Sequence, residues 1–253
     1  MNYLTIPFLK ALLKKKEAKI ALAFSLYPLI LIVAGLFDTN FMQLNTLGKV
    51  ALSFSDFVDS VISTQYQMTL PLIVFIYIVT TLFREEFSSG IIYLYKDVSR
   101  MTILNAKIGS IVIFQFIYLA LTFLSSLFTY YVYLVHQSIA SGQFLSPRIS
   151  DLQYSIVSSV GTILVFILCM MVTTLASITL TNGFTILVGI LFALVSFIAP
   201  SLNSLKYIFP NGYANIFGHM SFANCILIEL VLFIVYFVIL YIVALSKYKK
   251  IQY

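Results

Sequence analysis

The sequence predicts an all-α polytopic membrane protein: six transmembrane helices, both termini cytoplasmic, and a short amphipathic cytoplasmic helix between spans two and three. Three observations predict it. The 253 residues are 61% hydrophobic and only 9% charged, with a mean hydropathy of +1.02, whereas about a quarter of a soluble domain is charged. Apolar runs of spanning length recur along the whole chain. The 15 basic residues gather between alternate runs, as the positive-inside bias requires.

Residues 1–19 open the chain. Ile6, Leu9, Leu12 and Leu13 share a helical face with lysines opposite, the pattern of an interfacial amphipathic helix. The first span is Ile20–Phe37. It follows basic residues as a signal peptide would, but it is too long and no A-x-A site follows, so it is expected to be retained. Pro28 near its middle predicts a kink.

Outside, Phe54, Phe57, Val58, Val61 and Ile62 repeat at helical spacing while Asp56 and Asp59 face away. The second span is Tyr66–Phe83, with Pro71 in an opening turn. The third, Ile108–Val135, is long enough to tilt or project. The fourth is Ser155–Leu180, and Thr181-Asn182-Gly183 reads as a tight turn before the fifth, Phe184–Ala199. The external loop 200–221 is rich in Pro, Gly, Asn and aromatics, a composition open to re-entry where protein or water satisfies the backbone. The sixth span is Phe222–Leu245. No stretch reads as a separate domain, so residues 1–253 are expected to form a single transmembrane unit.

The charges orient these spans. Five lysines precede span one (Lys10, Lys14, Lys15, Lys16, Lys19). Four basic residues follow span two (Arg84, Lys96, Arg100, Lys107), and three follow span six (Lys247, Lys249, Lys250). The other face carries only Lys49, Arg148 and Lys206. Twelve against three places both ends in the cytoplasm. The same placement excludes nucleic acid as a partner, because binding it needs a solvated basic stripe, and leaves membrane lipid as the partner of these charges.

The cytoplasmic segment 84–107 carries the functional signal. Ser88 or Ser89 can cap a short helix, on which Ile91, Leu94, Tyr95 and Val98 form one apolar stripe. Such a helix either lies on lipid or enters a groove on a partner protein. Glu86-x-x-x-Gly90, an apolar stretch, Val98-Ser99-Arg100 and then Ala106-Lys107 resemble the coupling-helix region of type-2 ATP-binding-cassette (ABC) transporter permeases, among them small bacterial exporter and immunity permeases. The usual pattern there is Glu-x-x-x-Gly-Thr, apolar residues, Pro-x-Ser-Arg and Ala-Lys. Ile91 departs from its Thr, and Asp97 from its Pro.

The resemblance implies that Glu86 and Gly90 shape the helix entry, that Ile91, Leu94, Tyr95 and Val98 meet an ATPase subunit, and that Arg100 fixes the exit. It also implies a second permease subunit, as a homodimer or pseudo-dimer. No G-x-x-x-x-G-K-[ST] loop occurs in the chain. No cofactor is therefore expected in this chain; ATP and Mg belong to the partner ATPase, and the chain itself is expected not to be an enzyme.

Glu229 is the one carboxylate well inside a predicted span, seven residues past Phe222, or roughly 10 Å at 1.5 Å per residue. It reads either as a residue of the translocation path or as a hydrogen-bond partner for a neighbouring helix. Ser158, Ser159, Gly161, Thr162, Thr173, Thr174 and Ser177 in span four suit close helix packing, with a polar pathway wall as the alternative. Cys169 and Cys225 read as small core residues. His136 and His219 stand apart from other ligands, so no metal site is expected. A Glu-Glu-x-x-x-Arg intramembrane protease lacks its Arg here, and no Gly-x-Ser-x-Gly elbow occurs.

The function expected is therefore the membrane subunit of an ATP-driven exporter in the bacterial plasma membrane. External segments under about 30 residues leave no room for a large domain that receives cargo, which disfavours import. An amphiphilic cargo is expected: an antimicrobial peptide, a drug or a lipid. The alternatives are a proton-coupled secondary carrier using Glu229, and a non-transporting membrane anchor for a soluble partner.

Overall fold

A computed structural model describes residues 3–36, 51–88 and 98–250, without the side chains of Leu36 and residues 85–88. Every regular element among them is helical: α1 (Thr5–Lys14), α2 (Lys16–Phe24), α3 (Ile30–Leu36), α4 (Phe54–Gln67), α5 (Leu70–Ser88), α6 (Arg100–Val132), α7 (Ile149–Thr179), α8 (Asn182–Ile198) and α9 (Phe222–Lys249). The helices α6 to α9 are each long and apolar enough to cross a membrane. Two bent pairs, α2 with residues 27–35 and α4 with α5, raise the count to six if each is one broken span. The chain is membrane-embedded.

The helix ends follow local chemistry. Ser99 caps α6 by accepting from the Thr102 N–H at 3.1 Å, and Ser221 caps α9 by accepting from that of Asn224 at 3.4 Å. Ser53 and Asp56 form a reciprocal capping box on α4, which satisfies two of the N–H groups a helix start leaves open. Between α7 and α8 the chain turns within Leu180 and Thr181, both extended, close to the expected tight turn.

Both bends have identifiable causes. At Pro28 the ring displaces the carbonyl four residues earlier and supplies no N–H, and the flanking helices diverge by 50°. The carbonyls released there find donors from elsewhere. Gln65 Nε2 on α4 donates to Phe24 O at 3.0 Å, and Ser125 Oγ on α6 donates to Ser25 O at 2.6 Å. Between α4 and α5 the bend is 61°, turning at Thr69, whose φ of +56° is unusual for a β-branched residue. Pro71 sits in the first turn of α5, where its missing N–H has no helical partner to lose.

The continuous helix expected at the N-terminus is instead broken. Lys15 is extended (ψ 145°) between α1 and α2, so the run of three lysines forms a corner. The buried face of α1 is Thr5, Phe8 and Leu12, whereas Ile6 is 47% exposed. That face lies along the first turns of α6, with the Thr5 side chain against Gly109, so protein covers much of the surface expected to meet lipid.

Phe75 of α5 is the hub of the core. Its ring lies 5.3 Å from that of Phe114, 5.2 Å from Tyr118 and 4.9 Å from Phe166, joining α5, α6 and α7 through aromatic contacts. Cys169 and Cys225 are buried and free. By contrast, α9 buries only Cys225, Glu229, Ala244 and Tyr248. One side of it, including Phe237, Leu240 and Leu245, packs partly buried against the core, while Leu227, Ile234, Val238 and Ile242 are exposed, as on a helix solvated by lipid or by another subunit.

The loop 200–221 is folded. A 3₁₀ turn at Pro210–Asn215 packs on α7, where the backbone of residues 210 and 211 crosses directly over Gly161. Asn211 Nδ2 donates to Ser196 O at 2.9 Å, and Tyr236 Oη of α9 donates to Ile208 O at 3.0 Å. Tyr236 is fourteen residues into α9, roughly 20 Å along its axis. The loop therefore runs well back alongside the helices it connects.

Candidate functional site

Three places concentrate polar groups inside this apolar bundle. At the base, α1, α5, α6 and α9 converge on Lys107, whose side chain is fully buried. Its ammonium donates to Leu82 O at 3.0 Å and lies 4.8 Å from the Phe83 ring centre and 5.8 Å from that of Phe8. Tyr248 of α9 packs edge to face with Phe83, centroid to centroid 6.5 Å. One cation, a carbonyl and three aromatic rings thus bind four helices together. Beside this junction an apolar groove of about 540 Å³ runs between α1, α6 and α9, crossed by the Tyr241 Oη to Asn105 Oδ1 hydrogen bond of 2.7 Å.

Of the residues expected to contact an ATPase, only those at the two ends of the segment are described. Val98 is half-buried against the core and Arg100 is the first residue of α6. Glu86 belongs to the last turn of α5, its side chain outside the described atoms; Gly90, Ile91, Leu94 and Tyr95 lie outside the described residues. The ends of that segment are thereby placed, one on α5 and one on α6.

Near the opposite end of the bundle, α4 and α7 are joined by acid–hydroxyl bonds. Ser155 Oγ donates to Asp56 Oδ1 and Ser159 Oγ to Asp59 Oδ1, each at 2.9 Å. The sequence suggested that both acids turn away from neighbouring structure. Instead they face α7, because its hydroxyls repeat at the same one-turn spacing, and Asp59 is only 8% exposed. Asp59 also lines a polar cavity of about 500 Å³ between α4, α7, α8 and the folded loop. Ser158 and Thr162 line it as well, so this end of α7 is a polar wall. Further along, Thr173 packs beside Gly189, and Ser177 bonds its own helix at Thr174 O: close packing, the other reading of this polar series.

The third place is Glu229. It is 0% exposed, and neither carboxyl oxygen has a hydrogen-bond partner among the described residues. The expected bond to a neighbouring hydroxyl is absent among the described residues, and the Tyr213 hydroxyl is turned to Tyr207 O. Glu229 lines neither the polar cavity nor the apolar groove. A buried polar group without a partner costs about 1–3 kcal/mol. Glu229→Leu should therefore raise the stability of the purified chain by about that amount, read as a higher thermal midpoint in helical ellipticity.

Asp59, Asn211 and Gln115 are polar groups to which the sequence analysis assigned no function. Gln115 is buried on α6 with neither amide atom partnered among the described residues. Comparison with protein-family models, with curated proteins and with solved structures found no match. No group of His, Cys, Asp and Glu among the described residues is arranged to hold a metal ion.

Proposed function

We propose that this chain is the membrane-spanning subunit of an ATP-driven exporter of the bacterial plasma membrane. It crosses the bilayer six times with both termini inside, α4 lies on the outer side, and segment 84–107 carries a coupling helix that docks on a separate ATPase. Two permease subunits pair, and the cargo is amphiphilic. The Lys107 junction is the observation that carries this reading. It fastens the two helices that bracket the segment to each other and to α1 and α9. Force applied to the segment would reach four helices at once instead of dissipating in a loose connection. The charge distribution supports the same orientation, with twelve of 15 basic residues on the junction's side.

Replacing Leu94 and Tyr95 together with Asp tests it. The expected result is loss of co-purification with the ATPase and of efflux, with an unchanged thermal midpoint. Retained co-purification, or labelling of Tyr93 from outside intact cells, would overturn the proposal.

The state of Glu229 favours one second reading, a carrier that moves protons through this carboxyl. Transport that follows the proton gradient without ATP and disappears in Glu229→Gln would select it.

A further inference from the structure

We propose that the polar cavity beneath α4 binds a primary ammonium group on a hydrogen-bonding ligand, with Asp59 as its anionic anchor. The cavity holds about 500 Å³, within the range of small-ligand sites. Its chemistry is one-sided. Asp59 supplies a negative charge that is over nine-tenths buried, and no Lys, Arg or His is among the residues that line the space.

Asn211 lines the same space. Its amide nitrogen is committed to Ser196 O at 2.9 Å, which sets the orientation of the group, and its Oδ1 is buried without a donor among the described residues. Asp59 Oδ1 takes the Ser159 hydroxyl, but an ionised carboxylate offers about four acceptor positions. The site therefore sets one buried anion among hydroxyl and amide groups that can each accept a hydrogen bond, with no cation among its lining residues. An alkylammonium is the complement: three N–H donors, no acceptor and one positive charge.

A divalent metal fits less well. It would need more than one carboxylate to balance its charge, and Asp56 is already committed to Ser53 and Ser155. An anion would meet Asp59 with no cation to offset it. The ammonium can arrive on a free ligand or on a phosphatidylethanolamine headgroup. Binding needs no motor subunit, so its outcome is independent of the proposed export function.

The test uses the absence of tryptophan from the chain. Phe197 lines the cavity and is 40% exposed, so Phe197→Trp places a single reporter there without removing a polar group. The full chain carrying it is placed in phosphatidylcholine nanodiscs and titrated with acetyl-Gly-Lys-Gly-amide. The same peptide with norleucine replacing lysine keeps the chain length and omits the amine. The expected result is a saturable fluorescence change with the lysine peptide, none with norleucine, and affinity weaker by roughly tenfold or more in Asp59→Asn. Exchange into phosphatidylethanolamine is the second arm. An Asp59-dependent change there alone also supports the ammonium site and assigns its ligand to the lipid. Equal responses to both peptides, or no Asp59-dependent response in either arm, would overturn the proposal. The peptide pair keeps the test decisive even if Asp59→Asn fails to fold.

Discussion

Gly212→Ala should be the most damaging glycine-to-alanine change among the described residues. A Cβ at Gly212 would overlap the carbonyl oxygen of Lys206. The obstacle is backbone, so no rotamer change relieves it, and residues 206–212 must separate. Three attachments depend on that segment: Ile208 O to Tyr236, Asn211 to Ser196, and the Phe209 ring against Phe192 at 5.7 Å. Ordinary overpacking costs about 1–3 kcal/mol. With these attachments lost as well, a destabilisation above about 4 kcal/mol is expected, in the range reserved for few single substitutions. Thermal unfolding of the purified protein and proteolysis at 202–209 would both report it. Gly183→Ala is the control, since nothing lies within 4 Å of its added Cβ, and in a helix the change should be neutral or stabilising by up to about 1 kcal/mol. Equal behaviour of the two variants would show that the packing of 206–212 differs from that described.

The second large effect is expected at Lys107. Truncation to alanine removes a fully buried four-carbon stem, the hydrogen bond to Leu82 O and two ring contacts. By analogy with burial-to-alanine changes of similar volume, about 2–5 kcal/mol should be lost. Lys107→Met separates packing from charge. Methionine fills much of the same space but cannot donate to Leu82 or attract the rings. Its stability should recover most of the alanine loss, while any ATPase stimulation by cargo stays low if the junction transmits force. Full coupling in Lys107→Met would show that packing alone serves the junction.

Much of this architecture could be read from residue order. Long apolar runs located α6, α7, α8 and α9 to within a few residues at most ends, apart from the N-terminal extensions of α6 and α7. Pro28 announced its bend because the cause is local: a ring and a missing N–H. The partners that satisfy the bend were not readable. Gln65 and Ser125 lie 41 and 100 residues from the carbonyls they serve, and nothing in local spacing couples them.

Asp59 illustrates the same limit more sharply. Its helix has an apolar stripe, and an acid off that stripe ordinarily meets water. Here the neighbouring helix offers hydroxyls at matching intervals, so the acid turns to protein. A periodicity argument sees one helix at a time and misses such a complement. At Lys15 the limit is different: three adjacent lysines suit a helix by composition, and only the docking of α1 onto α6 requires a corner.

The clamped bend at Pro28 has a mechanical consequence. Donors from two separate helices grip the consecutive carbonyls of Phe24 and Ser25; straightening the rod could re-pair Ser25 O with the Leu29 N–H, but Phe24 O faces Pro28, which has no N–H to give, and would lose its donor. The elbow is thus welded, and whatever tilts its lower arm must swing the upper arm by the same angle.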